Sequence, residues 1–269
     1  LNVDTFLSEL DSLEPSFKRT GEWRGSFMLG GTATDLKVEP GPWIAVFQKM
    51  TGSEVQLLQK QVAVLAPVKV TPGPVLRSEW PGDGGLRSSF ELVRWALMSG
   101  LSFLNAGLLP SSLQSDGEQA EVLEDWMNSG KRSWTRRDGS WLTRVESGRL
   151  SQKITARQVA GVVVFEAMLL RLRDPGPEMV QALSHFLLCV DERLRLIRGV
   201  FSEQAVQLQA VLPLSRWDAG LAEVCINCLV AGTALVKREC AVLHDREAAR
   251  IYCECHLNRK EGTQCKPSI

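Results

Sequence analysis

Between Gln158 and Glu192 the chain is apolar for most of its length, is broken once by Asp174-Pro175-Gly176-Pro177, and resumes through His185-Phe186-Leu187-Leu188-Cys189. A helix that is apolar on every face has to be buried in a bundle, and two of them joined by a tight turn must pack back on each other. The pattern therefore predicts an α-hairpin at the centre of an all-α domain. Its second arm starts at Pro177, a residue suited to a first helical turn. It carries Met179, Val180, Leu183, Phe186, Leu187, Val190, Leu194 and Ile197 and closes at Gly199.

Helical spacing recurs along the rest of the chain. Val3, Phe6, Leu7, Leu10 and Leu13 follow Asn2, a good capping residue; Pro42 leads Trp43, Val46, Phe47 and Met50; Val55, Leu58, Val62 and Leu65 continue the pattern. Further helices are expected over Leu86–Leu101, around Val122–Met127, over Glu203–Leu212 and over Leu221–Leu243. Few segments alternate with period two, so little strand is expected. Pro67, Pro72, Pro74 and Pro81 rule out a long helix between them. These breaks divide the chain into an N-terminal helical subdomain (1–75), a Pro/Gly linker (76–85), a middle helical subdomain holding the hairpin (86–199) and a C-terminal helical domain (200–269). No internal repeat and no low-complexity segment is visible.

With 269 residues, 44% of them hydrophobic, the chain can bury a substantial core. Acidic residues at Asp4, Glu9, Asp11 and Glu14 are unlike a secretory leader. Glu166 and Arg171 interrupt the longest apolar run before the roughly 18 residues needed to cross a bilayer. Any membrane role is expected to be peripheral. Seven cysteines, an odd number in a chain of this size, are expected to be reduced thiols. Lysine and arginine balance aspartate and glutamate at 31 each, yet the distribution is uneven. From Lys131 to Arg157 eight cations face two acids, a local +6; from Asp116 to Asp125 five acids face no cation, a local −5.

Several segments match a known pattern in order. They are Val3-Asp4-Thr5-Phe6-Leu7-Ser8; Thr34-Asp35-Leu36-Lys37 with Trp43 beyond it; Gly84-Gly85-Leu86-Arg87 running into Phe90-Glu91-Leu92-Val93-Arg94-Trp95-Ala96-Leu97; and the hairpin with Ala160-Gly161 and Leu169-Leu170-Arg171-Leu172-Arg173. The set resembles the orthomyxovirus matrix protein family, as a divergent thogotovirus-type member rather than an influenza one. That resemblance implies an all-α matrix protein that polymerises beneath the viral envelope and serves assembly and budding. It implies as partners further copies of itself, acidic lipid membrane, viral ribonucleoprotein or RNA, the viral nuclear export protein and glycoprotein tails. The locations implied are the virion, the host cytoplasm and nucleus, and the inner leaflet of the plasma membrane. No catalytic activity and no cofactor are implied.

Lys131, Arg132, Arg136, Arg137, Arg144, Arg149, Lys153 and Arg157 are the candidate membrane- and RNA-binding residues, because clustered cations attract phosphate and release counterions. Trp134 and Trp141 would rest at a headgroup boundary or stack on bases; the plainer reading is a solvated charged face over two core tryptophans. Asp116, Glu118, Glu121, Glu124 and Asp125 are the candidate oligomer interface, complementary to the basic stretch. Cys225, Cys228, Cys253, Cys255 and His256 have the soft donors zinc prefers. No Gly or Pro shapes a knuckle between the two cysteine pairs, so idle or buried thiols are expected and no metal. His185, His244 and His256 accompany no nucleophile elbow or phosphate loop, so no enzyme is expected. Two other classes stay open beside the matrix reading: an all-α, nucleoprotein-like RNA-binding protein, and a metal-dependent adaptor built on the C-terminal cysteines.

Overall fold

A computed structural model describes residues 3–39, 43–82, 85–107, 118–148, 150–202 and 204–257. It overturns the all-α expectation: helices share the chain with two six-stranded antiparallel sheets. The segment that constrains the sequence reading most is not a helical hairpin. Leu150–Val159 is strand β9, Val162–Arg171 is β10, and only Pro177–Asp191 is a helix, α5. Ala160 and Gly161 form the two-residue turn between the strands, with φ of 44° and 75°. Two successive positive φ values are what a tight hairpin matching the twist of its strands requires. Strand β10 is buried on both faces: Val163, Phe165 and Ala167 belong to the main core, while Val162 and Val164 are covered by Leu65 and Trp95. A strand covered on both sides loses its polar alternation, and its composition then resembles a buried helix.

The same correction applies elsewhere. Trp43–Lys49 is β4 and Ala205–Pro213 is β12, both expected as helices. The expected linker holds β6, Val75–Pro81, which pairs with β4 on one side and with β5, Val68–Thr71, on the other. The basic stretch is a meander of β7 (Thr135–Arg137), β8 (Ser140–Ser147) and β9. Helices do form at α1 (Val3–Leu13), α2 (Glu54–Gln61), α3 (Leu86–Ala106), α4 (Glu118–Asn128) and α6 (Ala219–Leu243); α7 (Arg246–His256) follows.

These elements reveal an internal duplication. With β1 (Lys18–Gly21), β2 (Arg24–Leu29) and β3 (Thr32–Glu39), the first half reads α1, four strands, α2, two strands, α3. The second reads α4, four strands, α5, two strands (β11, Arg198–Ser202, then β12) and α6, with α7 appended. The sheet orders correspond term by term: β1-β2-β3-β4-β6-β5 and β7-β8-β9-β10-β12-β11. Each half has aromatic rings in contact within its core. Phe27 lies edge-on to Phe90 at 5.5 Å in the first, and Trp126 lies 6.0 Å from Phe165 and 5.3 Å from Trp217 in the second.

The halves meet about a pseudo-twofold axis. Helix α2 packs on α5 and β11, and α5 packs reciprocally on β5. Buried polar groups tie the junction together. The Gln61 amide donates to Gly199 O (2.7 Å) and accepts from the Val70 N–H, and Asp191 accepts from the Gly199 N–H at 2.6 Å. Arg198 donates to the carbonyls of Val64, Ala66 and Val68 and to Gln209. Close approach demands glycine at 199, where a Cβ would lie 2.8 Å from Leu187 Cδ2. Asp191 and Arg198 are buried, and burial shifts both towards neutrality: the Asp191 carboxyl is pushed up to about 7 and the Arg198 guanidinium down to about 10.

Helix α6 is long and apolar enough by composition to cross a membrane, with 44% of its most apolar window buried in the structure. It packs on β10 and β12 and buries Ala222, Cys225, Ile226, Leu229 and Val236, of which Ile226, Leu229 and Val236 each contribute about 1.5–3 kcal/mol when fully buried.

Candidate functional site

Alternation along β3, β4 and β6 sends Leu36, Val38, Ile44, Val46 and Leu76 into the core beneath α3. The residues between them share the opposite face. In the ladder Asp35 is opposite Phe47, which is opposite Arg77; Lys37 is opposite Ala45, which is opposite Glu79; Glu39 is opposite Trp43. Over this face runs the segment joining α5 to β11. It sets the Arg195 guanidinium 5.4 Å from the centre of the Trp43 ring, while Arg77 sits 5.3 Å from that of Phe47. Each such stack contributes roughly 0.5–2 kcal/mol, more as water is excluded.

Charge on this face is paired. Glu79 accepts from Lys69 (2.7 Å), Arg195 (3.2 Å) and the Leu196 N–H (3.1 Å), and forms an ion pair with Arg77 at 2.5 Å. Burial alone would raise its pKa, but Lys69, Arg77 and Arg195 outweigh burial and hold it below the ordinary carboxylate range. Glu39, bound by Lys37 (3.1 Å) and Arg195, is lowered in the same way against a smaller burial cost. For Lys69 burial wins and draws the amine down despite Glu79. Beside this network lies an open cleft of about 410 Å³ lined by Lys37, Glu39, Phe47, Pro72, Arg77, Glu192 and Arg195. A recess of about 350 Å³ adjoins it across Lys37 and Phe47 and reaches Thr20, Arg24 and Asp35. Together they form one groove that shares Lys37 and Phe47 and carries charges of both signs.

The duplicated half supplies an internal comparison. Where the loop before β11 brings Arg195 and Glu192 over the first sheet, the equivalent loop before β5 brings Leu65 over the second. There Leu65 and Trp95 pack against Val162, Val164 and Val211 as a small separate apolar cluster. One sheet face is plugged with aliphatic side chains, and its counterpart is polar and open.

The residues singled out from the sequence do not come together in this way. Arg132 binds Glu223 (2.7 Å) and Asn227 (3.2 Å) on α6; Arg136 binds Glu124 (2.6 Å) and stacks on Trp141; Arg137 reaches Asp138 at 3.5 Å. Arg144 stands opposite Lys153 on the outer face of the second sheet, where Arg157 pairs with Glu166 (3.3 Å). Lys131 is exposed beside Arg132, and Arg149 lies outside the described residues. The predicted basic helix is thus a strand meander whose cations are divided between two faces. Of the acidic set, Glu124 is taken up internally by Arg136 and Asp125 is exposed; Glu118 and Glu121 lie on α4, and Asp116 is outside the described residues. Cys225 and Cys228 lie on α6, and Cys253, Cys255 and His256 on α7. Cys225 is fully buried, Cys253 is buried with its thiol towards Glu178 O (3.4 Å), Cys255 is exposed, and His256 stacks on Tyr252. Among the described residues no three His, Cys, Asp or Glu side chains converge as metal ligands.

His185 is the histidine nearest to a chemical arrangement. Its Nδ1 is 3.0 Å from the Tyr252 hydroxyl and 3.9 Å from Cys189 Sγ. Burial, followed by the Glu192 and Glu54 charges, raises the Cys189 thiol, so this pair does not make a thiolate nucleophile. The groove residues Trp43, Phe47, Arg77, Glu79 and Arg195 were missed as a group because they are distant in sequence. The alternation Thr34-Asp35-Leu36-Lys37-Val38-Glu39 was the available signal for a strand with one polar face.

Comparison with known proteins leaves these observations to stand alone. No protein-family profile matches the chain. No curated protein matches it either. The crystal structure of the di-domain ARO/CYC BexL from the BE-7585A biosynthetic pathway aligns with 96% of this chain and 94% of its own at 9% identity, but with a TM-score of 0.15, at which the alignment carries no argument.

Proposed function

We propose that this chain is a non-enzymatic binding protein that receives an extended polypeptide segment of mixed charge in the groove over its first sheet. The observation that carries this reading is the difference between two equivalent sheet faces: one is closed by Leu65 and Trp95, the other keeps an open groove over Phe47, with Trp43 beside it beneath Arg195. A groove with Phe47 in its wall and paired charges of both signs suits alternating side chains of an extended peptide, which can pack an apolar group beside Phe47 and exchange partners with Lys37, Glu39 and Arg195. It suits nucleic acid poorly, since affinity for phosphate needs cations without carboxylate partners. The matrix reading rested on a resemblance implying an all-α fold, and nothing in the two-sheet architecture supports it.

Selection of a displayed 12-residue peptide library on the immobilised protein tests the proposal. Enrichment is expected on the parent and is expected to vanish on a Trp43→Ala/Phe47→Ala variant that keeps its circular dichroism spectrum. Enrichment that survives the double substitution, or tight binding of a single-stranded RNA with no peptide enriched, would overturn it.

A further inference from the structure

Where the two halves meet, β5, β6, β11 and β12 wall a cavity of about 20 Å³ that shares Arg77 with the peptide groove but is distinct from it. A water-sized particle needs about 10–15 Å³, so there is room for one. Charge in the wall is unbalanced. Lys69, Arg77 and Arg198 stand against Glu79 alone, and Glu79 is already engaged by Lys69, Arg77 and Arg195. Arg198 makes no ion pair among the described residues, its terminal nitrogens going to three backbone carbonyls and to Gln209 (3.2 Å). The other buried acid nearby, Asp191, is raised to about 7 and accepts from the Gly199 N–H, so it offsets the excess only in part. A buried charge without a counter-charge is costly.

Hydrogen bonding is unbalanced in the same sense. The Nε–H groups of Arg77 and Arg198 are both buried and meet no protein acceptor, although Arg77 spends its terminal nitrogens on Glu192 O (3.0 Å) and Glu79. The side-chain acceptors of the wall, on Glu79 and Gln209, already have donors. A water molecule would bring two protons of its own to a wall whose surplus is in donors. An anion only accepts.

We propose that this cavity binds one monatomic anion of the chloride class, which accepts from the Nε–H of Arg77 in the first half and from that of Arg198 in the second. The ion links β6 to β11 across the pseudo-twofold, so the union of the halves tightens with chloride. It also steadies Arg77 from behind, on the side away from the Phe47 ring. The inference does not depend on what fills the groove, since its readouts need no peptide.

Crystals of the full chain grown with sodium bromide as the sole halide should show an anomalous peak in the cavity, within hydrogen-bonding distance of both Nε atoms. In solution the urea midpoint should rise when sodium chloride replaces sodium methanesulfonate at fixed ionic strength. Once chloride exceeds its dissociation constant, each tenfold increase should raise the folding equilibrium constant up to tenfold. Arg77→Met should show no such gain, whatever its own midpoint in methanesulfonate. Density in the cavity without an anomalous signal, which marks a water molecule, would overturn the proposal. So would a midpoint indifferent to the anion, or an undiminished chloride gain in the Arg77→Met protein.

Discussion

Replacing Arg198 with alanine tests whether the buried polar junction holds the two halves together. The guanidinium belongs to β11 of the second half, but three of its four acceptors are the carbonyls of Val64, Ala66 and Val68 in the first, at 2.5, 3.0 and 2.7 Å. Arg198 is 3% exposed, so water does not replace those donors without entering the core. Each buried acceptor left without a donor costs about 1–3 kcal/mol. Asp191 would also lose a nearby cation. Partial relaxation keeps the total below the sum, and removing one member of a buried charged network typically costs about 3–5 kcal/mol. Against a whole-protein stability of about 5–15 kcal/mol that is a large fraction. Urea unfolding followed by tryptophan fluorescence and by far-ultraviolet circular dichroism should show coincident transitions in the parent. The variant should unfold at a midpoint lower by roughly 1–5 M, given a slope of about 1–3 kcal/mol per molar urea. Its two signals should separate as the halves lose their coupling. A midpoint loss worth under about 1 kcal/mol, the scale of an exposed ion pair, with the transitions still coincident, would refute the argument.

Two further outcomes follow from the same junction and from the thiols. The Asp191 carboxyl is raised from 3.8 to about 7 in the fold, so the folded chain holds a proton the unfolded chain has released. The stability this contributes is full below pH 3.8 and is lost as pH rises to about 7. His185, lowered by burial, acts in the opposite sense over part of that range, so the measurement is a difference. Asp191→Asn should remove a decline in urea midpoint between pH 5 and 7.5 relative to the parent, and parallel pH profiles would dispose of the idea. In a Cys265→Ser protein, exposed Cys255 should react first with a thiol reagent and half-buried Cys228 more slowly. Cys225, Cys240 and Cys253 should react only on unfolding, since burial raises all three, Cys240 to about 12. Early labelling of Cys225 would place α6 wrongly.

The parts of the fold legible in the sequence are those where a helix shows one apolar face and a start signal: α1 after Asn2, α3 from Leu86, α5 from Pro177 and α6. Strands escaped detection for two physical reasons. Central strands such as β10 and β6 are buried on both faces, so period two is absent from them. The hairpin signals were present but not read as turns, Ala160-Gly161 being placed inside a helix: Gly30-Gly31, Asp138-Gly139 and Ala160-Gly161 all have two consecutive positive φ values, the mark of a two-residue turn. The duplication was invisible because it survives in element order and pairing, not in side chains. Even the plug and the groove, built at equivalent places, use Leu65 in one and Arg195 in the other. The site was illegible for the same reason, since Trp43, Arg77 and Arg195 become neighbours only after β4, β6 and the loop before β11 are assembled.

The far borders of the two sheets have a consequence for how this protein behaves when crowded. Their inner borders, β5 and β11, abut each other at the pseudo-twofold, so among the described residues β1 and β7 are the outward borders. Those strands are four and three residues long, fully exposed, and carry Lys18, Arg19, Arg136 and Arg137; β1 is also kinked by an irregular register at Arg19–Gly21. Short, cationic, bent borders repel a like strand and give it little to pair with. Runaway strand-by-strand growth is thereby discouraged at both extremities of the folded molecule. The same protection extends one strand inward: β1 pairs only with Arg24, Gly25 and Ser26 of β2, so fraying of β1 uncovers a cation, a glycine and a serine rather than an apolar run.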